Sequence, residues 1–113
     1  MALKRGNVVT IAVQGDYGKP RPAIVVQANQ FLSLKSVMVL PLTSDERANA
    51  SLFRVVVYPT KENGLRVVSQ AMIDKAMPIP IDKVGAAFGS ISRQVMREID
   101  RRIVTFFGVG SVS

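Results

Sequence analysis

The chain of 113 residues has no cysteine and no histidine. Without cysteine there can be no disulfide, thiolate nucleophile or zinc ribbon, so stability must come from packing. Without histidine the usual neutral-pH proton carrier and the commonest metal ligand are both missing. Long hydrophobic runs are also absent: apolar stretches of about six residues fall far short of the roughly 20 that cross a bilayer. The 48% hydrophobic and 20% charged content is that of an ordinary soluble domain. Lys4 and Arg5 lead into a strand-like Val/Thr/Ile pattern containing Asn7 and Gln14, with neither the apolar core nor the cleavage site of a secretory signal. The expected compartment is the cytoplasm, with no membrane partner. There is no internal repeat or low-complexity segment, and the length suits a single domain over residues 1–113 with a modest core.

What is present is positive charge. Fifteen Lys and Arg against eight Asp and Glu give a net charge of +7 and a pI near 10.4. Basic domains of this kind often meet nucleic acid. The charges are scattered, however, so an acidic protein partner fits equally well. Asn7 to Gln14, Ala23 to Gln27, Val37 to Leu42, Phe53 to Tyr58 and Arg66 to Ile73 read as strands. Turn chemistry separates them: Gly15-Asp16-Tyr17-Gly18, Asn29 through Lys35, Thr43 through Ser51, and Pro59 through Gly64, where Asn63-Gly64 favours a tight hairpin. Connections this short imply antiparallel pairing, hence a strongly curled sheet or small barrel. After Ser92, a plausible N-cap, apolar Val95, Met96, Ile99, Ile103, Phe106 and Phe107 face away from Arg93, Arg97, Glu98, Asp100, Arg101 and Arg102. This is an amphipathic helix ending near Gly108. Its apolar stripe is expected to cover one mouth of the barrel; a subunit interface is the other use for its phenylalanines.

Arg21 stands between Pro20 and Pro22 at the start of an otherwise apolar strand. The two prolines confine it to extended backbone, and a guanidinium held that rigidly suits a phosphate or carboxylate. The plainer reading is a charged cap on a strand end. Further along come Leu40-Pro41-Leu42-Thr43-Ser44, Ser69-Gln70-Ala71-Met72-Ile73-Asp74-Lys75, and Val84-Gly85 with Phe88-Gly89-Ser90-Ile91-Ser92. With Arg5-Gly6-Asn7-Val8-Val9 at the start, the order and spacing of these segments resemble the MazF/PemK family of toxin endoribonucleases over nearly the whole length.

The resemblance implies a mainly β fold: an SH3-like, curled antiparallel barrel of about five to seven strands with a C-terminal amphipathic helix, as in CcdB and MazF. It implies the toxin of a type II toxin-antitoxin system, a sequence-specific endoribonuclease that cuts single-stranded RNA with no metal or other cofactor. In that chemistry a ribose 2′-hydroxyl attacks the adjacent phosphorus, leaving a cyclic phosphate and a 5′-hydroxyl. Much of the gain can come from fixed donors around the phosphorane, so the missing histidine is tolerable. Arg21 matches the family's catalytic arginine. A guanidinium keeps its charge, so Arg21 stabilises charge and cannot be the resting base. Thr43 matches the catalytic threonine, its hydroxyl on a phosphate oxygen; the plainer reading is a turn residue satisfying local backbone. Ser44 beside it adds a second donor. Asp74 aligns with an acidic residue used by some members as a candidate base, or it is a carboxylate paired with Lys75 or Arg21. Met72 stands where plasmid-type members carry a second arginine, and the loop near Gly15 lacks their histidine. For RNA contact the candidates are the loop aromatics Tyr17 and Phe31, Lys19, Lys35, Arg47 and Lys75 on phosphates, and Asp16, whose alternative is to shape its turn.

Two partners follow from the resemblance. The first is a second copy, since the family's RNA groove crosses a two-fold interface, and an apolar helix plus valine-rich strands exceed what one small barrel covers. The second is an acidic antitoxin. The alternative functions are a non-enzymatic, CcdB-like DNA gyrase poison and a catalytically inactive RNA-binding barrel. Phe106-Phe107-Gly108-Val109 is faintly similar to the gyrase-poison ending, but that family's tail tryptophan is absent.

Overall fold

Valines that point to opposite sides of the same strands set the architecture. In the computed structural model, residues 2–12, 19–45 and 52–110 are described. Strands β1 (Asn7–Ala12), β2 (Pro20–Val25), β3 (Ser36–Thr43), β4 (Arg54–Val57), β5 (Ser69–Met72), β6 (Met77–Pro80) and β7 (Gly89–Ser90) precede helix α1 (Arg93–Phe107). All pair antiparallel, in the order β4-β5-β3-β2-β1-β7, with β6 also on β3. Val8, Ile24, Leu40 and Leu42 face one core with Val55, Ile73 and Ile99. Val9, Ala23, Val25, Val37 and Val39 face a second core with Ile79. Because successive residues alternate sides, a strand buried on both faces needs apolar side chains at every position. The surplus valines are therefore covered within the chain by β6 and by Val84 and Ala87, and they no longer call for a second copy.

Among the described residues seven strands are found, within the five to seven that the resemblance implies and two more than the five segments read from the pattern. β6 is hidden in the sequence by Pro78 and Pro80, which ordinarily argue against a strand. Alternate residues of an edge strand turn their N–H away from the partner. Pro78 and Pro80, opposite Met38 and Ser36, occupy that set, while Met77 and Ile79 meet Val39 and Val37. β5 is shorter than the expected Arg66–Ile73. Nor does Asn63-Gly64 make a tight hairpin: β4 ends at Val57 and β5 begins at Ser69. The Asn63 side chain is instead buried in the connection, donating to Tyr58 O (2.9 Å) and accepting from Thr60 N (3.0 Å) and Leu65 N (2.9 Å).

Helix α1 follows its sequence signals at both ends. Ser92 Oγ accepts from Val95 N at 3.2 Å, and Gly108 closes the helix in the left-handed region at φ 69°. Ile99 is fully buried, and Val95, Met96 and Ile103 pack beside it, so the helix seats on β4 and the Ile73–Lys75 turn. Its last turn does not. Phe106 and Phe107 are 47% and 59% exposed and meet edge to face, 5.7 Å apart, so the stripe expected to cover the barrel does so only in its first part. Arg5 ties the helix to the sheet: Nη2 donates to Asp100 Oδ1 at 2.7 Å and Nε to Val26 O at 2.8 Å. No helix among the described residues is long and apolar enough to cross a membrane.

The two ends of the curled sheet meet through a loop. Ser90 N donates to Glu62 O at 2.8 Å, and Gly89 lies so close to Asn63 that a Cβ there would come 2.2 Å from the Asn63 carbonyl oxygen. Backbone cannot move aside as a side chain can. Gly89→Ala is expected to destabilise the fold by about 2 kcal/mol, the range of an overpacked site, and to lower the melting temperature by roughly 10 °C. Thermal unfolding followed by circular dichroism checks this, and an unchanged midpoint would refute the closure.

Candidate active site

The β2–β3 ladder stops at Ala23 opposite Pro41. Arg21 lies two residues before Ala23 and Thr43 two residues after Pro41, and side chains two apart share a face. Arg21 and Thr43 therefore flank the open end of one hairpin, on the side of the second core. On the other edge of β3, the β6 ladder ends at Val39 opposite Met77 and the β5 ladder begins at Leu42 opposite Ala71. Pro41 sits in the gap. In the parity of Val37 and Val39, its N–H would face that edge; as proline it has none to leave unpaired.

At this gap lies a cleft of about 610 Å³, with Arg21, Thr43, Met72 and Lys75 on its walls and Ile11 and Met77 among its apolar lining. A larger cleft of about 690 Å³ runs outside β1, lined by Lys4 and small residues such as Ala86 and Ala87. It carries one cation, Lys4, beside Asn7 and Ser90, where the first cleft carries both Arg21 and Lys75 beside a hydroxyl, so size does not identify the site here. Thr43 Oγ1 accepts a hydrogen bond from Asp45 N at 3.1 Å. With a lone pair engaged, the hydroxyl still has its own proton to donate. One guanidinium, one hydroxyl and one ammonium thus converge on an apolar-floored cleft, a donor set that suits a phosphodiester.

The other candidate residues fall into four groups. Asp74 is exposed on the Ile73–Lys75 turn and does not line the cleft, whereas its neighbour Lys75 does. Lys19 and Ser44 are exposed beside Arg21 and Thr43 in the chain. Phe31, in a 3-10 turn (Asn29–Phe31), and Lys35 lie at the opposite end of the β2–β3 hairpin, Lys35 roughly 26 Å from Thr43 at about 3.3 Å per residue. Asp16, Tyr17 and Arg47 lie outside the described residues. Among the described residues no group of three or more His, Cys, Asp or Glu could hold a metal ion.

Two residues escaped the sequence reading. Gln70 is buried and pairs with Thr43 across β3 and β5. Arg54 is only 7% exposed and sits opposite Met72 across β4 and β5. Its Nη1 donates to Gln70 Oε1 at 2.9 Å and to Asp45 O at 3.1 Å. The available signal was a lone charge opening an apolar strand, Arg54-Val55-Val56-Val57, but its partners are set by register that no local pattern reveals.

Comparison with known proteins bears on the family and the fold. Residues 4–107 match the model of the PemK-like, MazF-like toxin of type II toxin-antitoxin system. The probable endoribonuclease MazF of Mycolicibacterium smegmatis is 35% identical over 108 residues, covering 95% of this chain and 98% of that protein. Among solved structures, an endoribonuclease in complex with its cognate antitoxin from a mycobacterial species superposes with a TM-score of 0.77 at 19% identity, covering 98% of each chain. The Mycobacterium tuberculosis toxin MazF-mt6 gives 0.76 at 22% identity, covering 90% of this chain and 96% of its own. With the family model spanning nearly the whole sequence and a full-length relative above 30% identity, the chain belongs to the PemK-like, MazF-like toxins of type II toxin-antitoxin systems.

Proposed function

We propose that residues 1–113 act as a single toxin domain that cuts single-stranded RNA in the cytoplasm without a metal ion. The observation that carries this reading is the meeting of Arg21 and Thr43 at one cleft. The 2′-oxygen attacks phosphorus, the P–O5′ bond breaks, the 2′-hydroxyl gives up its proton and the leaving 5′-oxygen gains one. Products carry a 2′,3′-cyclic phosphate and a 5′-hydroxyl. Arg21 holds the charge that builds on the phosphorane, Thr43 donates to a nonbridging oxygen, and Lys75 adds positive potential from the opposite wall. Asp74 is the carboxylate next to the site and our candidate base, acting through water. Lys19 and Ser44 serve the nucleotides next to the cut, Phe31 and Lys35 those farther along the strand, and Asp16, Tyr17 and Arg47 complete the RNA-contacting set.

The absence of histidine and cysteine leaves few ligands for a divalent ion. Cleavage of single-stranded RNA should therefore continue in excess chelator and yield 5′-hydroxyl ends. Loss of activity with chelator, or 5′-phosphate products, would overturn the mechanism, and no cleavage at all would favour an inactive RNA-binding barrel.

Arg21→Ala should slow cleavage by at least about two orders of magnitude with the fold intact, as for other lost transition-state donors, and Thr43→Ala should cost less. Single-turnover rates decide this; a near wild-type rate for Arg21→Ala would show the site to be elsewhere.

We further propose a symmetric homodimer, supported by the exposed end of α1, where Val104, Phe106, Phe107 and Val109 remain uncovered. A +7 protomer doubles to +14, so RNA binding should weaken steeply with salt. An acidic antitoxin segment that folds on binding would occupy the same basic cleft. Sedimentation of the purified protein should give a dimer at micromolar concentration, and the complex with the antitoxin should not cut RNA. A monomer, or a complex cleaving at full rate, would contradict the respective half of this assembly.

A further inference from the structure

Arg54 is a poor choice for stability alone. It is buried in β4 beside Val55, Val56 and Val57, where an apolar side chain would avoid the desolvation of a charge. Its hydrogen-bond partners among the described residues are two neutral oxygens, with no carboxylate among them, and its Nε is buried without one. Yet both oxygens lead to one place. Asp45, whose carbonyl it holds, gives its own N–H to Thr43 Oγ1. Gln70, whose Oε1 it holds, is the cross-strand partner of Thr43. One guanidinium thus braces the end of β3 from the turn after it and from the strand beside it.

We propose that Arg54 is a positioning residue for the cleavage reaction, fixing the Thr43–Ser44–Asp45 turn so that the Asp45 amide fills a lone pair of Thr43 Oγ1 and leaves the hydroxyl proton to the phosphate. This rests on the reading of Thr43 as a donor to the scissile phosphate. An oxygen that already accepts a hydrogen bond is a better donor through its own proton. The amide also restricts the hydroxyl's free rotation, which would otherwise spread the proton over directions that miss the substrate. Both bonds leave one nitrogen, Nη1, whose two protons are fixed in the guanidinium plane, whereas the protons of a lysine ammonium rotate about a flexible stem and hold neither acceptor in place.

The test is a double-mutant cycle on the purified protein. A long single-stranded RNA transcript is used, with its cut site mapped by the wild type, under single-turnover conditions and below the melting temperature of every variant. Arg54→Met should slow the cleavage step about tenfold or more while changing RNA affinity less than about threefold, and Arg54→Lys should restore little of it. In a Thr43→Ala background the Arg54→Met change should cost less than about twofold, because its effect runs through a hydroxyl already removed. Losses that multiply, or an Arg54→Met rate equal to wild type beside a slow Thr43→Ala, overturn the positioning role alone. A Thr43→Ala rate equal to wild type overturns the reading of the cleft and this role with it. Should Arg54→Met fail to fold, Asp45→Pro carries the same cycle at an exposed position by deleting the amide proton. It should be slow alone and show no further loss with Thr43→Ala, and multiplying losses or no loss would again overturn the proposal.

Discussion

Strand β3 has one partner along its inner edge and two in succession along its outer edge, and the site depends on the step between them. β6 covers Ser36 to Val39, β5 covers Leu42 and Thr43, and Ile73–Lys75 carries the chain from one to the other in a 3-10 turn. A gap in a ladder ordinarily leaves a donor unpaired, at a cost comparable to a lost hydrogen bond. Pro41 occupies the one position of the gap whose N–H would face outward, so that cost does not arise. The buried Ile73 anchors the turn in the first core, which puts Met72 and Lys75 on the rim. The cleft is thus a consequence of how backbone hydrogen bonds are distributed.

The two-sided core makes that step rigid. Ile24 and Leu40 pack into one core while Ala23, Val25 and Val39 pack into the other, so the hairpin bearing Arg21 and Thr43 at its open end is clamped on both faces. Interiors packed in this way resist displacement. The arginine and the threonine are accordingly carried by strands with buried residues on both faces, although Arg21 itself is exposed. Pro20 and Pro22 extend the same rigidity by fixing backbone dihedrals beyond the last β2–β3 pair, where β2 is still paired with β1. The Arg5–Asp100 ion pair is partly exposed on both sides and contributes little energy. Its value is geometric, as it sets where α1 leaves the sheet.

What could be read from the sequence follows the range of the interactions involved. β1 to β4, the Ser92 cap and the Gly108 stop rest on contacts within a few residues, and each stands close to where the pattern puts it. β6 was hidden because two prolines speak against a strand unless its edge position and N–H parity are known. The end of α1 was misjudged because a helical stripe shows which residues share a face, without showing how far the surface beneath extends. Thr43 could be reached through the Leu40-Pro41-Leu42-Thr43-Ser44 segment and its resemblance to a family motif. Arg54 and Gln70 could not, since Asp45, Gln70 and Arg54 meet only once β3, β4 and β5 are in register.

The inventory of the cleft also bears on how a nuclease can work without imidazole. Arg21 and Lys75 offer N–H donors, and Thr43 Oγ1 already accepts from Asp45. Asp74 stands just outside the lining. In the mechanism we propose, such a site holds negative charge more than it moves protons, and preorganised donors of this kind are often the largest single contribution to catalysis. They act only if they need no rearrangement as charge develops. That requirement explains why the bracing extends beyond the cleft wall: a hydroxyl on a strand end is free to rotate unless its acceptor side is filled, and the amide that fills it belongs to a turn that must itself be held.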